Sequence, residues 1–117
     1  MENKVKILKT DINQIKLTDL SNRLINEDNL NVAVCNANSL VRSYKDKGLQ
    51  EILNNFDIAT PDGFPVAKAS NILYKNNQKR VDGYKIFNHT IEKSIEFGTS
   101  HYFFGNSEEV VKKIITK

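Results

Sequence analysis

Asn31-Val32-Ala33-Val34-Cys35 is a short, unbroken apolar run that ends at Asn36. It is too short for a core helix and does not alternate, which is how a strand covered on both faces reads. Residues 57–60, Asp-Ile-Ala-Thr, and residues 101–104, His-Tyr-Phe-Phe, have the same character. Between these runs the apolar spacing becomes helical. Ala37, Leu40, Val41 and Tyr44 form one stripe; Gly48 is expected to break it, and Leu49, Ile52, Leu53 and Phe56 resume it. A second helix is expected from Pro65, a residue welcome in a first turn, through Val66, Ala67, Ala69, Ile72 and Leu73. A third is expected over residues 84–97, with Phe87, Ile91 and Ile95 on its core face and Gly98 as its stop. Ser107 opens a last one, with Glu108 and Glu109 placed where the helix dipole favours acids.

Upstream, residues 4–9 alternate partly and allow a strand, and Thr18-Asp19 starts a helix whose stripe is Leu20, Leu24 and Ile25. Residues 76–79 are a polar loop. Short apolar strands alternating with helices predict an α/β domain with a mainly parallel sheet. Such sheets bind ligands at the carboxyl ends of their strands. Three loops fall there: Cys35-Asn36, Thr60-Pro61-Asp62-Gly63 and Gly105-Asn106-Ser107.

The chain has 117 residues and a net charge of +3, with one cysteine and no tryptophan. One domain is expected at this length. A mild positive excess suits an anionic ligand or an acidic membrane surface; with no long run of like charge it gives no case for nucleic acid. A lone cysteine excludes a disulfide framework and fits a reducing compartment. No apolar stretch has signal-peptide or membrane-spanning length, so a cytoplasmic protein, soluble or peripheral on the inner face of the plasma membrane, is the expectation.

Taken singly, the polar candidates are ambiguous. Pro61 stiffens the chain and Gly63 permits a sharp bend, so Asp62 is held as a general base must be held. Yet an acid just before a helix is also a favoured cap, and Pro-Asp-Gly an ordinary turn. Asn36 and Asn38 suit a sugar hydroxyl or a helix cap. Arg80 suits a phosphate or simply a solvated surface. Gly105-Asn106 offers backbone N–H groups without a full phosphate-loop pattern. His89 and His101 lack ligand-spaced partners, so no metal is expected. Cys35 reads as a buried thiol.

Order and spacing add what the single signals lack. The segments 31–41, 53–63, Arg80-Val81-Asp82-Gly83 and Tyr102-Phe103-Phe104-Gly105 together resemble the WecG/TagA/CpsF glycosyltransferase family, over nearly the whole chain. The resemblance implies a Rossmann-like, three-layer α/β fold. It implies an inverting transfer of a sugar, N-acetylmannosamine or another hexose, from a UDP-sugar to a polyprenyl-diphosphate-linked acceptor. The products would serve teichoic acid or cell-surface polysaccharide synthesis, with no cofactor and no metal. The family's catalytic aspartate falls on Asp62, its strand-end Asn on Asn36 and its arginine on Arg80. Asn38, Thr60, Gly63, Gly83, Gly105 and Asn106 complete the expected substrate-binding set.

Three departures accompany the resemblance. Many members carry Thr where this chain has Val34, and Asp where it has Lys85. Members also continue past residue 117 into a Pro-x-Gln-Glu-type motif and a basic segment that engages the membrane. Residues 1–117 are therefore expected to be the N-terminal part of one glycosyltransferase domain, either active or a truncated, non-catalytic nucleotide-sugar-binding remnant. Homo-oligomerisation stays open.

Overall fold

A computed structural model of the chain describes residues 3–116. It opens with a hairpin, β1 (Lys4–Ile7) and β2 (Thr10–Asn13), whose antiparallel register pairs Val5 with Ile12. The expected single strand over residues 4–9 thus ends early. Leu8 and Lys9 both take positive φ, which turns the chain back on itself. No Gly, Asn or Asp marks that turn, so composition gave no sign of it.

Then come α1 (Leu17–Asn26), β3 (Val32–Cys35), α2 (Ala37–Lys45), α3 (Lys47–Asn54), β4 (Ile58–Pro61), α4 (Phe64–Tyr74) and α5 (Gly83–Ser94). A 3-10 turn over Ile95–Phe97 follows, and α6 (Glu108–Ile115) closes the described chain. The break between α2 and α3 falls at Asp46, two residues before Gly48. The Asp46 carboxylate accepts from Leu49 N and starts α3, while Gly48 lies inside that helix.

β3 and β4 pair in parallel, with Val32 opposite Ile58 and Cys35 opposite Pro61. Both faces of this pair are covered. Ala33, Cys35 and Ala59 face a core built with the hairpin, α2 and α4 through Val5, Ile12, Leu40 and Val66. Val32 and Ile58 face a second core of Leu20 from α1, Ile86 from α5 and Val81 from the segment before α5. The buried-strand reading holds for β4, neither face of which meets water; β3 departs from it, since Ala33 and Cys35 are buried while Val32 is half-buried and Val34 is exposed on the other face.

A mainly parallel sheet was expected; among the described residues each of the two sheets has two strands, one parallel and one antiparallel. Residues 101–104 form no strand. Phe103 packs on Phe87 at a ring separation of 5.6 Å, and His101 Nε2 lies 3.0 Å from Ser94 Oγ. The segment is thereby held against α5, with Tyr102 and Phe104 88% and 92% exposed. The core face of α5 is also rotated from expectation. Ile86 and Ser94 are buried whereas Phe87 and Ile95 are exposed, because α5 meets α1 through Ser21, His89 and Thr90.

The far edge of β4 is completed by groups outside the strand pair. Asn13 Oδ1 accepts from Ala59 N at 2.8 Å, and Pro61 O accepts from Val81 N at 2.9 Å. Asn13 is nearly wholly buried, so its amide stands in for a strand neighbour. Replacing it with Ala strands the Ala59 N–H away from water. Asn13→Ala is expected to lose about 1–3 kcal/mol in urea unfolding; a loss near zero would show that this bond does not hold the edge.

Candidate functional site

The parallel register brings the ends of β3 and β4 side by side. There Asp62 N donates to the Cys35 carbonyl at 2.9 Å, one residue beyond the ladder. Gly63 follows with φ of 91°, a conformation that L side chains resist, and Pro65 lies in the first turn of α4. Strand, bend and helix together leave Asp62 half-buried on a short, stiff elbow.

Helix capping distinguishes this acid from the others. Asn36, Asp46, Asp82 and Ser107 each cap a helix, accepting from Ser39 N, Leu49 N, Lys85 N and Val110 N respectively. α4 is entered through Gly63, and no side chain caps it. The Asp62 carboxylate accepts no hydrogen bond within the described residues. The alternative that Asp62 is a helix cap is therefore not what the structure shows. Its acceptor capacity is unspent, at the place where parallel sheets present ligands.

Cys35 lies beneath this loop, 1% exposed. Burial pushes its thiol up to about 11, and the Asp62 charge adds to the shift. It is a protonated core thiol at neutral pH, with none of the cationic surroundings a nucleophilic cysteine needs.

Asn36 uses its Oδ1 for the α2 cap and keeps its Nδ2 donors free of that bond. Asn38 is exposed in the first turn of the same helix. Gly83 begins α5 against β3, and a Cβ there would come within 3.7 Å of Val34 Cγ1. The bond from Val81 N to Pro61 O places the Arg80–Gly83 segment beside the Asp62 elbow. Arg80 itself is about half exposed and lies 3.8 Å from the Asp82 carboxylate, a loose pair. Three of the four sequence segments thus converge on one strand-end edge.

Thr60 is on the same strand but 0% exposed, and its Oγ1 has no hydrogen-bond partner. It lies behind the site rather than on its surface. Gly105 and Asn106 are in an exposed loop with positive φ, and Asn106 Oδ1 accepts from the neighbouring Ser107 N. The hydrogen bonds of residues 105–107 stay within that loop and α6. Among the described residues no three His, Cys, Asp or Glu side chains are grouped to hold a metal.

With this geometry in place, comparison with protein families decides the lineage. The Glycosyl transferase WecG/TagA/CpsF family profile matches residues 5–117. The chain belongs to that family. No curated protein matches it. Membership in the WecG/TagA/CpsF family makes this a glycosyltransferase chain in general terms. The family match spans the Asp62 elbow, Asn36 and the Arg80–Gly83 segment together.

A second feature escaped sequence reading. A cleft of about 1240 Å³ lies between α4, the chain around residues 14–19 and the loop 76–81. Its walls are tied by Gln78. Gln78 Oε1 accepts from Ile15 N at 2.9 Å, and Gln78 Nε2 donates to Ile15 O at 2.7 Å. Its backbone is held by Asn71, whose Nδ2 donates to Gln78 O and whose Oδ1 accepts from Gln78 N. The polar run at 76–79 signalled only a loop, and no local pattern reveals a clamp across 63 residues of sequence.

The raised Cys35 pKa gives a pH prediction. The unfolded thiol ionises near its ordinary value of 9.0, whereas the folded one holds its proton to about 11. Between these values the unfolded chain binds fewer protons, so stability falls as pH rises. Cys35→Ala is expected to remove that part of the loss, seen as a smaller drop in unfolding free energy from pH 9 to 11 than in the native chain. Parallel pH curves for the two proteins would contradict the buried-thiol assignment.

Proposed function

We propose that this chain is the catalytic core of an inverting glycosyltransferase, with Asp62 as its general base. The observation that carries the reading is the uncapped, half-buried Asp62 carboxylate at the paired strand ends, in a chain of the WecG/TagA/CpsF family. An acceptor hydroxyl bound over the elbow gives its proton to Asp62 as its oxygen bonds to the anomeric carbon of the donor. The bond from that carbon to the diphosphate oxygen breaks, and UDP leaves with the electron pair. Attack from the face opposite the leaving group inverts the centre.

Asn36 offers its free amide donors to a sugar hydroxyl, with Asn38 two residues on in the first turn of α2. Arg80 offers a guanidinium to the departing diphosphate, whose developing charge a planar fork meets well. Gly63 and Gly83 keep the floor of the pocket low, and Thr60 supports it from beneath. Helices on both faces of the β3–β4 pair support a Rossmann-like core. We assign the donor as a UDP-hexose such as UDP-N-acetylmannosamine. The acceptor is assigned as a polyprenyl-diphosphate-linked sugar of cell-surface polysaccharide or teichoic acid synthesis, met at the membrane surface. No described helix is long and apolar enough to cross a membrane.

The test is sugar transfer by the full chain and by Asp62→Asn, with donor affinity measured separately. Loss of the base is expected to cut kcat by about 10²–10⁴-fold while UDP-sugar affinity stays unchanged. Equal rates would remove Asp62 as the base. Donor binding by the native chain with no turnover would favour a non-catalytic nucleotide-sugar-binding module.

A further inference from the structure

Among the described residues β3 has a neighbouring strand on one side only. The Asn31 and Cys35 carbonyls accept from Ile58 N and Asp62 N on that side. Alternate residues of a parallel strand bond to the same neighbour, so the N–H and carbonyl groups of Val32 and Val34 point the other way. Among the described residues no hydrogen bond reaches Val32 or Val34 from beyond the β3–β4 pair. The far edge of β4, by contrast, is closed by Asn13 and Val81. Open sheet edges in stable proteins are commonly blunted by a lysine, a proline or a bulge. Val32-Ala33-Val34-Cys35 has none of these, and Val34 is 39% exposed.

A second stretch of backbone is in the same condition. Residues 101–104 make no backbone hydrogen bond among the described residues. They are His-Tyr-Phe-Phe, a composition suited to a pleated strand. The His101 and Phe103 side chains fix the segment to α5, so within one chain it does not lie on the β3 edge. Tyr102 and Phe104 stand out almost fully exposed. Aromatic rings are enriched where protein surfaces meet and charged groups are depleted at the centres of such contacts. Both conditions hold here. The chain is 26% charged, yet residues 31–41 and 97–107 contain no Asp, Glu, Lys or Arg.

We propose that residues 101–104 of a second copy of this chain add as a strand to the outer edge of β3, and that the exchange is reciprocal. Each copy offers one open edge and one unpaired segment. Two copies related by a two-fold axis therefore satisfy both, and leave nothing over for a third. Main-chain hydrogen bonds to Val32 and Val34 supply the affinity, as in other cases of strand addition, and the Tyr102 and Phe104 rings lose their exposure. Charge favours a second copy as the occupant. Each chain carries a net charge of +3, and approach through two charge-free surfaces brings no cations together. The inference stands apart from the glycosyltransferase reading, since no reacting group takes part in it.

The experiment combines sedimentation equilibrium of the full chain with isotope-filtered NOE spectra of labelled and unlabelled copies mixed together. Sedimentation is repeated for Tyr102→Ser/Phe104→Ser, exposed positions whose folding is checked by circular dichroism. The native chain is expected to form a dimer. Its spectra are expected to show NOEs from the Val34 amide of a labelled copy to the Tyr102–Phe104 segment of an unlabelled one. Loss of the two rings is expected to weaken the dimer roughly tenfold or more. A native chain that stays monomeric at NMR concentration overturns the proposal. So does a dimer without the cross-copy NOEs at Val34, or one that the double substitution leaves intact. Val34 NOEs to 102–104 that arise within a single monomer overturn it too, because the segment would then occupy its own edge. The NOE arm uses the native chain alone, so it decides the question even where the double variant fails to fold.

Discussion

The hydrogen bond from Asp62 N–H to the Cys35 carbonyl ties together the ends of β3 and β4. Without it the elbow at Asp62-Gly63 would be a free loop, and a free loop cannot hold a carboxylate for proton transfer. The bond exists because two apolar strands lie in parallel with helices on both faces, so that Asp62, one residue past the ladder, still faces the end of β3. The same constraint buries Cys35 against Asp62, drives the thiol proton affinity up, and sets the Arg80–Gly83 segment alongside through Val81. Core, elbow and candidate site are thus consequences of one pairing.

Polar groups in this fold divide into those consumed by structure and those left over. Asn36, Asp46, Asp82 and Ser107 are largely consumed by caps, and Gln78, Asn71 and Asn13 by cross-links between segments. Asp62 is left over. An unspent acceptor at the strand ends suits a reaction that takes a proton from its substrate.

Much of the strand-end arrangement was legible in the sequence. The unbroken runs at 31–35 and 57–60 read as adjoining core strands, and with them came the place of Asn36 and Asp62; burial on both sides followed for β4, whereas β3 leaves Val34 exposed. What misled was the run at 101–104. Its composition is that of a strand, but Phe103 and His101 meet α5, and a strand exists only where a neighbour pairs with it. The hairpin turn at Leu8-Lys9 went unread because neither residue favours positive φ; tertiary packing of Val5, Ile7 and Ile12 imposes it. Periodicity also put Phe87 rather than Ile86 on the core face, since spacing defines a stripe but not which neighbour it meets. The Gln78 clamp and the cleft it ties depend on contacts distant in sequence, which no window of local pattern contains.

The central claim is that the ends of β3 and β4, with the Arg80–Gly83 segment, form one nucleotide-sugar site. Amide resonances of the isotope-labelled chain, followed while UDP-N-acetylmannosamine is added, test it most directly. The account predicts saturable shifts centred on Asn36, Asp62, Gly63 and Gly83, with residues 105–107 and the hairpin at 4–13 little moved. Shifts centred on Asn106, or none at the Asp62 elbow, would contradict it.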